Sequence, residues 1–271
     1  YLILVIGLVS TSLLWCGLSY VEHKNAKAEF DFEAERINQL IIKRVSSYEG
    51  LLTGVKSFFM ASKEVSLQEW EIYFDKLQFK NHYPGLQGIG YVQHVSSEKD
   101  IDKLKAMLRT YGMADYSIKP EGLRNEYFPV VFLEPLNHRN EKAIGYDIYS
   151  ENIRRKSIES ARNREKTSIT RKITLVQEGD ENIQSGLLMN VPFFTNERID
   201  KQNLPRELDG IINAVIRMDD FITELLEPEI LENMHLKIYD QHTSEENILF
   251  DSHKNGQRIK MQKLLPILSL N

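Results

Sequence analysis

The chain has a single cysteine, Cys16, so no disulfide can form within it. An oxidising compartment is compatible with that count without being required by it. Positive charge is not in excess either: 34 Lys and Arg stand against 39 Asp and Glu, and no stretch gathers basic residues with aromatics. A phosphate backbone needs a positive field to bind, so the composition speaks against a nucleic-acid partner. Phosphate-cradling glycine loops, nucleophile elbows and kinase signatures are all missing. The seven histidines are scattered, without a metal-ligand spacing such as H-E-x-x-H. The chain itself is therefore read as non-catalytic, with neither a cofactor nor a metal. Hydrophobic residues at 42% and charged residues at 27% nevertheless describe a folded protein.

Tyr1 to Tyr20 holds no charged residue. Twenty helical residues rise about 30 Å, the thickness of a bilayer's hydrocarbon core. Trp15 and Tyr20 lie near the end of the run, where amphipathic rings favour the interface, and Glu22, His23 and Lys24 mark the exit. Signal-peptide cores are shorter, about 7–15 residues, which favours a retained anchor. The chain starts at Tyr1 rather than Met and is read as part of a longer protein.

No proline occurs before Pro84. Phe30, Ala34, Ile37, Ile41, Val45, Tyr48, Leu52, Val55 and Phe59 recur at spacings of three and four, one apolar stripe on a helix from about Glu22 to Ala61. Such a stripe suits a homodimer seam near the membrane and core contact near Phe58 and Phe59. An ordinary core helix facing its own sheet is the other reading.

Beyond it the pattern shortens. Helices are expected over Trp70–Leu77, Asp100–Tyr111 and from Glu151, capped by Ser150, to about Asn163. Strands are expected over Leu86–Val95, Tyr127–Phe132, Ala143–Ile148, Ser168–Val176 and Gly186–Phe194. A polar linker, Thr195–Arg206, then precedes a strand Gly210–Arg217, a helix Met218–Leu226 and a hairpin of Leu236–Asp240 with Ile248–Asp251. The mixed order suits antiparallel sheets with helices packed on them, an α+β class. The expected organisation is a transmembrane helix over 1–21, a signalling helix over 22–64, a membrane-distal unit over 65–200 and a membrane-proximal unit over 201–271.

Four runs are recognisable: Tyr83–Tyr91 (YPGLQGIGY), Arg124–Val130 (RNEYFPV), Gly145–Ile148 (GYDI) and Leu175–Glu178 (LVQE). Together they resemble the CHASE domain family. The resemblance implies an extracytoplasmic sensor of tandem PAS-like build, preceded by a transmembrane helix and a long helix. It also implies a second membrane span leading to a histidine kinase or cyclic-dinucleotide enzyme that this chain does not contain. In the plant cytokinin receptors of the family, the distal unit holds an adenine-type ligand.

The same resemblance suggests where a ligand would sit. Asp147 aligns with the acidic residue that accepts hydrogen bonds from the purine. Strand alternation puts Gly145 and Asp147 on one face and Ile144, Tyr146 and Ile148 on the other. A carboxylate tied to local backbone ahead of Ser150 is the competing reading of Asp147. Leu175 or Val176 resembles the position flanking the ligand ring, and Thr170 falls near a pocket threonine. Tyr91 and Tyr127 belong to the signature runs and offer aromatic walls; core packing is the competing reading for all of these residues, Leu175, Val176 and Thr170 included. Asn190, beside Met189, stands where the plant receptors use a threonine. Arg124 and Glu126 are read as a buried pair or as exposed charges. The expected partners are thus a small-molecule ligand, the inner membrane, a second copy of the chain along the N-terminal helix, and no nucleic acid. A dimeric interaction module without a small ligand is the second reading.

Overall fold

A computed structural model describes residues 1–177, 183–197, 207–252 and 263–265. It is an α+β protein: a long apolar helix followed by an antiparallel sheet with helices on both faces. Helix α1 runs unbroken over Leu2–Ala61, as the absence of proline allows. It contains an 18-residue window of mean hydropathy 2.1, long and apolar enough to cross a membrane. The chain divides into two units, one of Tyr1–Lys43 and the other of the described residues from Arg44 to Ser252. Ile37 and Ile41 of the stripe are each only 3% exposed.

In the second unit, Ser66 caps α2 (Leu67–Leu77) with a reciprocal box: its hydroxyl accepts the Glu69 N–H, and the Glu69 carboxylate accepts the Ser66 N–H. A short α3 (Phe79–His82) leads to β1 (Leu86–Gln93), α4 (Glu98–Thr110), β2 (Val130–Glu134) and α5 (His138–Glu141). Next come α6 (Asn152–Arg164), β3 (Ser168–Ile169), β4 (Ile173–Thr174), β5 (Ser185–Phe194) and β6 (Leu208–Arg217). Helices α7 (Met218–Leu225) and α8 (Pro228–Asn233) precede the hairpin strands β7 (Lys237–Tyr239) and β8 (Ile248–Asp251).

The main sheet has the order β2-β1-β6-β5-β3, with β4 also on β5. This corrects one expectation. The strand expected to open the proximal unit, β6, instead fills the centre of the sheet, hydrogen-bonded to β1 on one side and β5 on the other. Among the described residues that follow β6, α7, α8 and the two-stranded hairpin lie outside that sheet. Residues 198–206 of the expected linker lie outside the described residues.

One face of the sheet packs on α1 and α2 through aromatic rings. Phe59 meets Tyr91 at 4.5 Å between centroids and Phe193 at 5.8 Å, and Trp70 meets Phe132 at 5.6 Å. The opposite face carries Val92, Leu133, Phe194 and Ile211, which pack against Ile148 and Ile158.

Ala143–Ile148 is not a strand. Gly145 sits at φ +80°, and a Cβ there would fall 2.0 Å from the Ser117 carbonyl oxygen. Single bridges to Lys119 and Pro129 take the place of a ladder, and a 3-10 turn follows over Ile148–Ser150. Glu151, rather than Ser150, then caps α6, its carboxylate accepting the N–H groups of Ile153 and Arg154.

Candidate functional site

The site follows from a break in the sheet edge. Ser168 and Ile169 pair with Asn190 and Met189, and Ile173 and Thr174 pair with Gly186 and Ser185. Between them Thr170 keeps the edge closed: its N–H donates to the Leu188 carbonyl at 2.9 Å, and its hydroxyl oxygen accepts the Leu188 N–H at 2.9 Å. Arg171 and Lys172 therefore leave the sheet and reach the hairpin. The Asp240 carboxylate accepts the Lys172 N–H at 2.8 Å and Arg171 Nε at 3.3 Å, while Lys172 Nζ donates to the Glu246 carbonyl at 2.8 Å.

Across from this bulge, α6 presents Ile153, Lys156, Ser157 and Ser160, an i, i+3, i+4, i+7 pattern that puts them on one side of the helix. Helix, bulge and hairpin loop enclose an open groove of about 600 Å³. Small-molecule sites span roughly 300–1,000 Å³, so the groove has ligand dimensions. Beneath it lies a hydroxyl–amide chain. Ser168 Oγ donates to the Ser157 carbonyl at 2.6 Å, Ser157 and Ser168 hydroxyls meet at 2.7 Å, and Asn190 Nδ2 donates to Ser157 Oγ at 2.9 Å. Asn190 and Asn213 face each other across β5 and β6, and the side-chain oxygen of each is buried without a hydrogen-bond partner.

A second cavity lies on the sheet face, lined by Leu175, Arg154, Tyr146 and Asn213. Its space is only about 20 Å³, enough for one water. Arg154 closes it, donating to the Thr174 carbonyl at 2.7 Å and lying over the Tyr146 ring.

The residues singled out in the sequence do not meet at one point. Thr170 lines the groove, Leu175 lines the small cavity, and Asn190 sits under the groove's floor. Asp147 faces neither. It is fully buried; one oxygen accepts Arg124 Nε at 2.8 Å, and the other accepts the N–H groups of Phe128 at 2.7 Å and Tyr149 at 3.1 Å. Tyr127 belongs to the same loop core: its hydroxyl accepts the Arg124 N–H and donates to the Gly122 carbonyl. Tyr91 lies on the α1 face of the sheet, away from both openings. Arg124 and Glu126 do not pair with each other. Glu126 takes Arg162 Nη2 at 2.7 Å and His94 Nε2 at 2.9 Å. Burial works to raise the Glu126 pKa, but the hydrogen bonds of Arg162 and Tyr149 and the charges of Arg162 and His94 outweigh it and hold it below the usual value.

Lys156, Ser160, Arg171 and Asp240 were not singled out in the sequence, because helix, bulge and hairpin come from three separate stretches and form no contiguous motif. Among the described residues no three His, Cys, Asp or Glu side chains gather as a metal site.

An antiparallel sheet thus follows a helix long and apolar enough to cross a membrane, and a ligand-sized groove opens between α6, the bulge and the hairpin loop. Residues 63–250 match the CHASE domain family, and the chain belongs to that family. It is thus an extracytoplasmic sensor region, and the CHASE domain itself is not catalytic. Among solved structures the chain is similar to the periplasmic sensory domain of the Campylobacter jejuni chemoreceptor Tlp1, at 12% identity and a TM-score of 0.42, covering 80% of this chain and 71% of that one. No curated protein matches it.

Proposed function

We propose that this chain is the ligand-binding input of a membrane receptor, anchored by the apolar part of α1 in the inner membrane. A small polar molecule occupies the groove between α6, the Thr170–Lys172 bulge and the hairpin loop. Its binding controls a histidine kinase or cyclic-dinucleotide enzyme carried elsewhere in a longer protein. The observation that carries this reading is the groove of about 600 Å³, ringed by polar groups that its own chain leaves accessible. The adenine-type ligand loses its main support, because Asp147 is already occupied by Arg124 and two backbone N–H groups. Association of two copies along the N-terminal helix belongs to the same proposal for the turns before Ile37, since Ile37 and Ile41 are covered within one chain.

The test is a thermal-shift screen of the full chain in lipid nanodiscs against a library of small polar metabolites. Hits should raise the melting temperature of the wild type and lose their effect in Ser160→Trp, which fills the groove. Hits that are indifferent to Ser160→Trp would sink the groove as the input site. A dimer that responds to no compound would favour the interaction-module reading.

A further inference from the structure

The charges around the groove are unevenly answered. Three cations line it, Lys156 from α6 and Arg171 and Lys172 from the bulge. Asp240, the half-buried carboxylate of the wall, is spent within the protein, one oxygen accepting both Arg171 Nε and the Lys172 N–H. Lys172 Nζ is held by the Glu246 carbonyl, a neutral acceptor that leaves its charge uncompensated. No carboxylate among the described residues pairs with Lys156. Asp240 engages Arg171 only through Nε, so the outer edge of the guanidinium is open for a two-point contact. Thr170 adds a hydroxyl whose oxygen already accepts the Leu188 N–H, leaving its proton to donate. The Glu246 carboxylate also lines the groove, so three cations face two carboxylates, of which Asp240 is already engaged by Arg171 and Lys172. Ile153 and Ile169 supply apolar wall for a short hydrocarbon body.

From this arrangement we infer that the groove is a site for a small organic anion, carrying a carboxylate or phosphate group bound by Arg171, Lys156 and the hydroxyls of Thr170 and Ser160. The inference rests on the groove being the input site and adds the charge class of what enters it. Asp240 and the Glu246 carbonyl act as positioning groups: they hold Arg171 and Lys172 extended across the opening before any ligand arrives, which lowers the ordering cost of binding.

The experiment is calorimetry on the full chain in detergent micelles with four probes at matched ionic strength: succinate, inorganic phosphate, ethylenediamine and glycerol. Succinate or phosphate should bind, and the better of the two identifies the anionic group. Arg171→Gln and Lys156→Gln should each weaken that probe about tenfold or more, the loss of one charge-assisted hydrogen bond. Their melting temperatures without probe should fall by no more than about 4 °C, because both side chains are solvent-exposed and the Arg171–Asp240 pair is a surface one. Asp240→Asn removes a repelling charge from the wall while its amide oxygen can still accept Arg171 Nε, so it should bind the anionic probe at least as tightly as the wild type. Binding of ethylenediamine or glycerol in place of the anions would overturn the anion assignment while keeping the groove as an input site. Anion binding that survives both Gln variants unchanged would overturn it as well. Silence from all four probes, together with a blank metabolite screen, would remove the anion assignment and the input-site reading alike.

Discussion

Arg124 reaches Asp147 through Nε at 2.8 Å, and the carboxylate it meets is fully buried while the guanidinium side chain is 22% exposed. Arg124 also donates to the Pro120 carbonyl and lies over the Tyr127 ring at 5.0 Å. The pair thus ties the loop before β2 to the turn before α6, joining two of the four sequence runs that resemble the CHASE family.

A first prediction follows from that geometry. Removing one partner of a buried pair leaves the other uncompensated, which costs about 3 kcal/mol. For a unit of about 200 residues this amounts to a fall in melting temperature of roughly 6–12 °C. Arg124→Ala and Asp147→Ala should both show it. Asp147→Asn should fall in between, since its amide oxygen still accepts the Phe128 N–H but the charge pair is gone. Circular-dichroism melts of the three variants decide; a wild-type melt for Asp147→Ala would show that the carboxylate carries no structural load.

The membrane role of α1 has its own test. Leu8 and Leu13 lie inside the apolar part of the helix and are exposed. An arginine at the centre of a spanning helix costs about 2.5–3.5 kcal/mol, so Leu8→Arg with Leu13→Arg costs roughly 5–7 kcal/mol. The double variant should leave the carbonate-washed membrane fraction, and full retention there would refute the span.

Local pattern made most helices legible. Expected and observed bounds for α2 and α4 differ by three residues or fewer, because both carry an apolar stripe and a Ser cap. Pairing was not legible in the same way. Nothing local in Leu208–Arg217 says that it lies between β1 and β5 rather than in a unit of its own; that depends on which distant edges remain open. Two expected strands failed for backbone reasons: Gly145 turns the chain at positive φ, and Thr170–Lys172 interrupts the run from Ser168 to Val176. The site suffered in proportion. Thr170 was reached through family resemblance, whereas Lys156, Arg171 and Asp240 come together only once the hairpin is folded beside α6.

Acid should loosen the contact between α6 and the loop before β2. Glu126 has its pKa depressed in the folded protein, with burial opposing the shift and Arg162, Tyr149 and His94 producing it. A depressed folded pKa means that the stabilisation is present above the unfolded value, about 4.3, and is lost as pH falls through the lower folded value. Glu126→Gln should therefore be less stable than wild type at pH 7, and the gap should close below about pH 4. Urea midpoints from pH 7 down to 3 measure this; a gap that widens with acid would reverse the sign and refute the assignment.

The last prediction concerns Gly90 and Asn213, neighbours in register on β1 and β6. A Cβ on residue 90 would stand 2.6 Å from Asn213 Oδ1 and 3.1 Å from the Phe132 carbonyl oxygen. Gly90 is thus the space in which the Asn213 amide sits. Gly90→Ala forces that amide to move within a packed sheet, which costs about 1–3 kcal/mol even though alanine suits a strand better than glycine. Asn213→Ala costs less than an ordinary core truncation, because it also removes a buried oxygen that has no hydrogen-bond partner. In the double variant the 2.6 Å contact is gone and the milder approaches to the Phe132 carbonyl and Leu133 Cδ1 remain. The two substitutions should therefore be non-additive, the double variant being more stable than the sum of the singles by roughly 0.5–3 kcal/mol. Four urea titrations on the full chain in detergent close the cycle. Additive effects would mean that Asn213 is not what the missing side chain at residue 90 makes room for, and the glycine would have to be explained by the Phe132 carbonyl and Leu133.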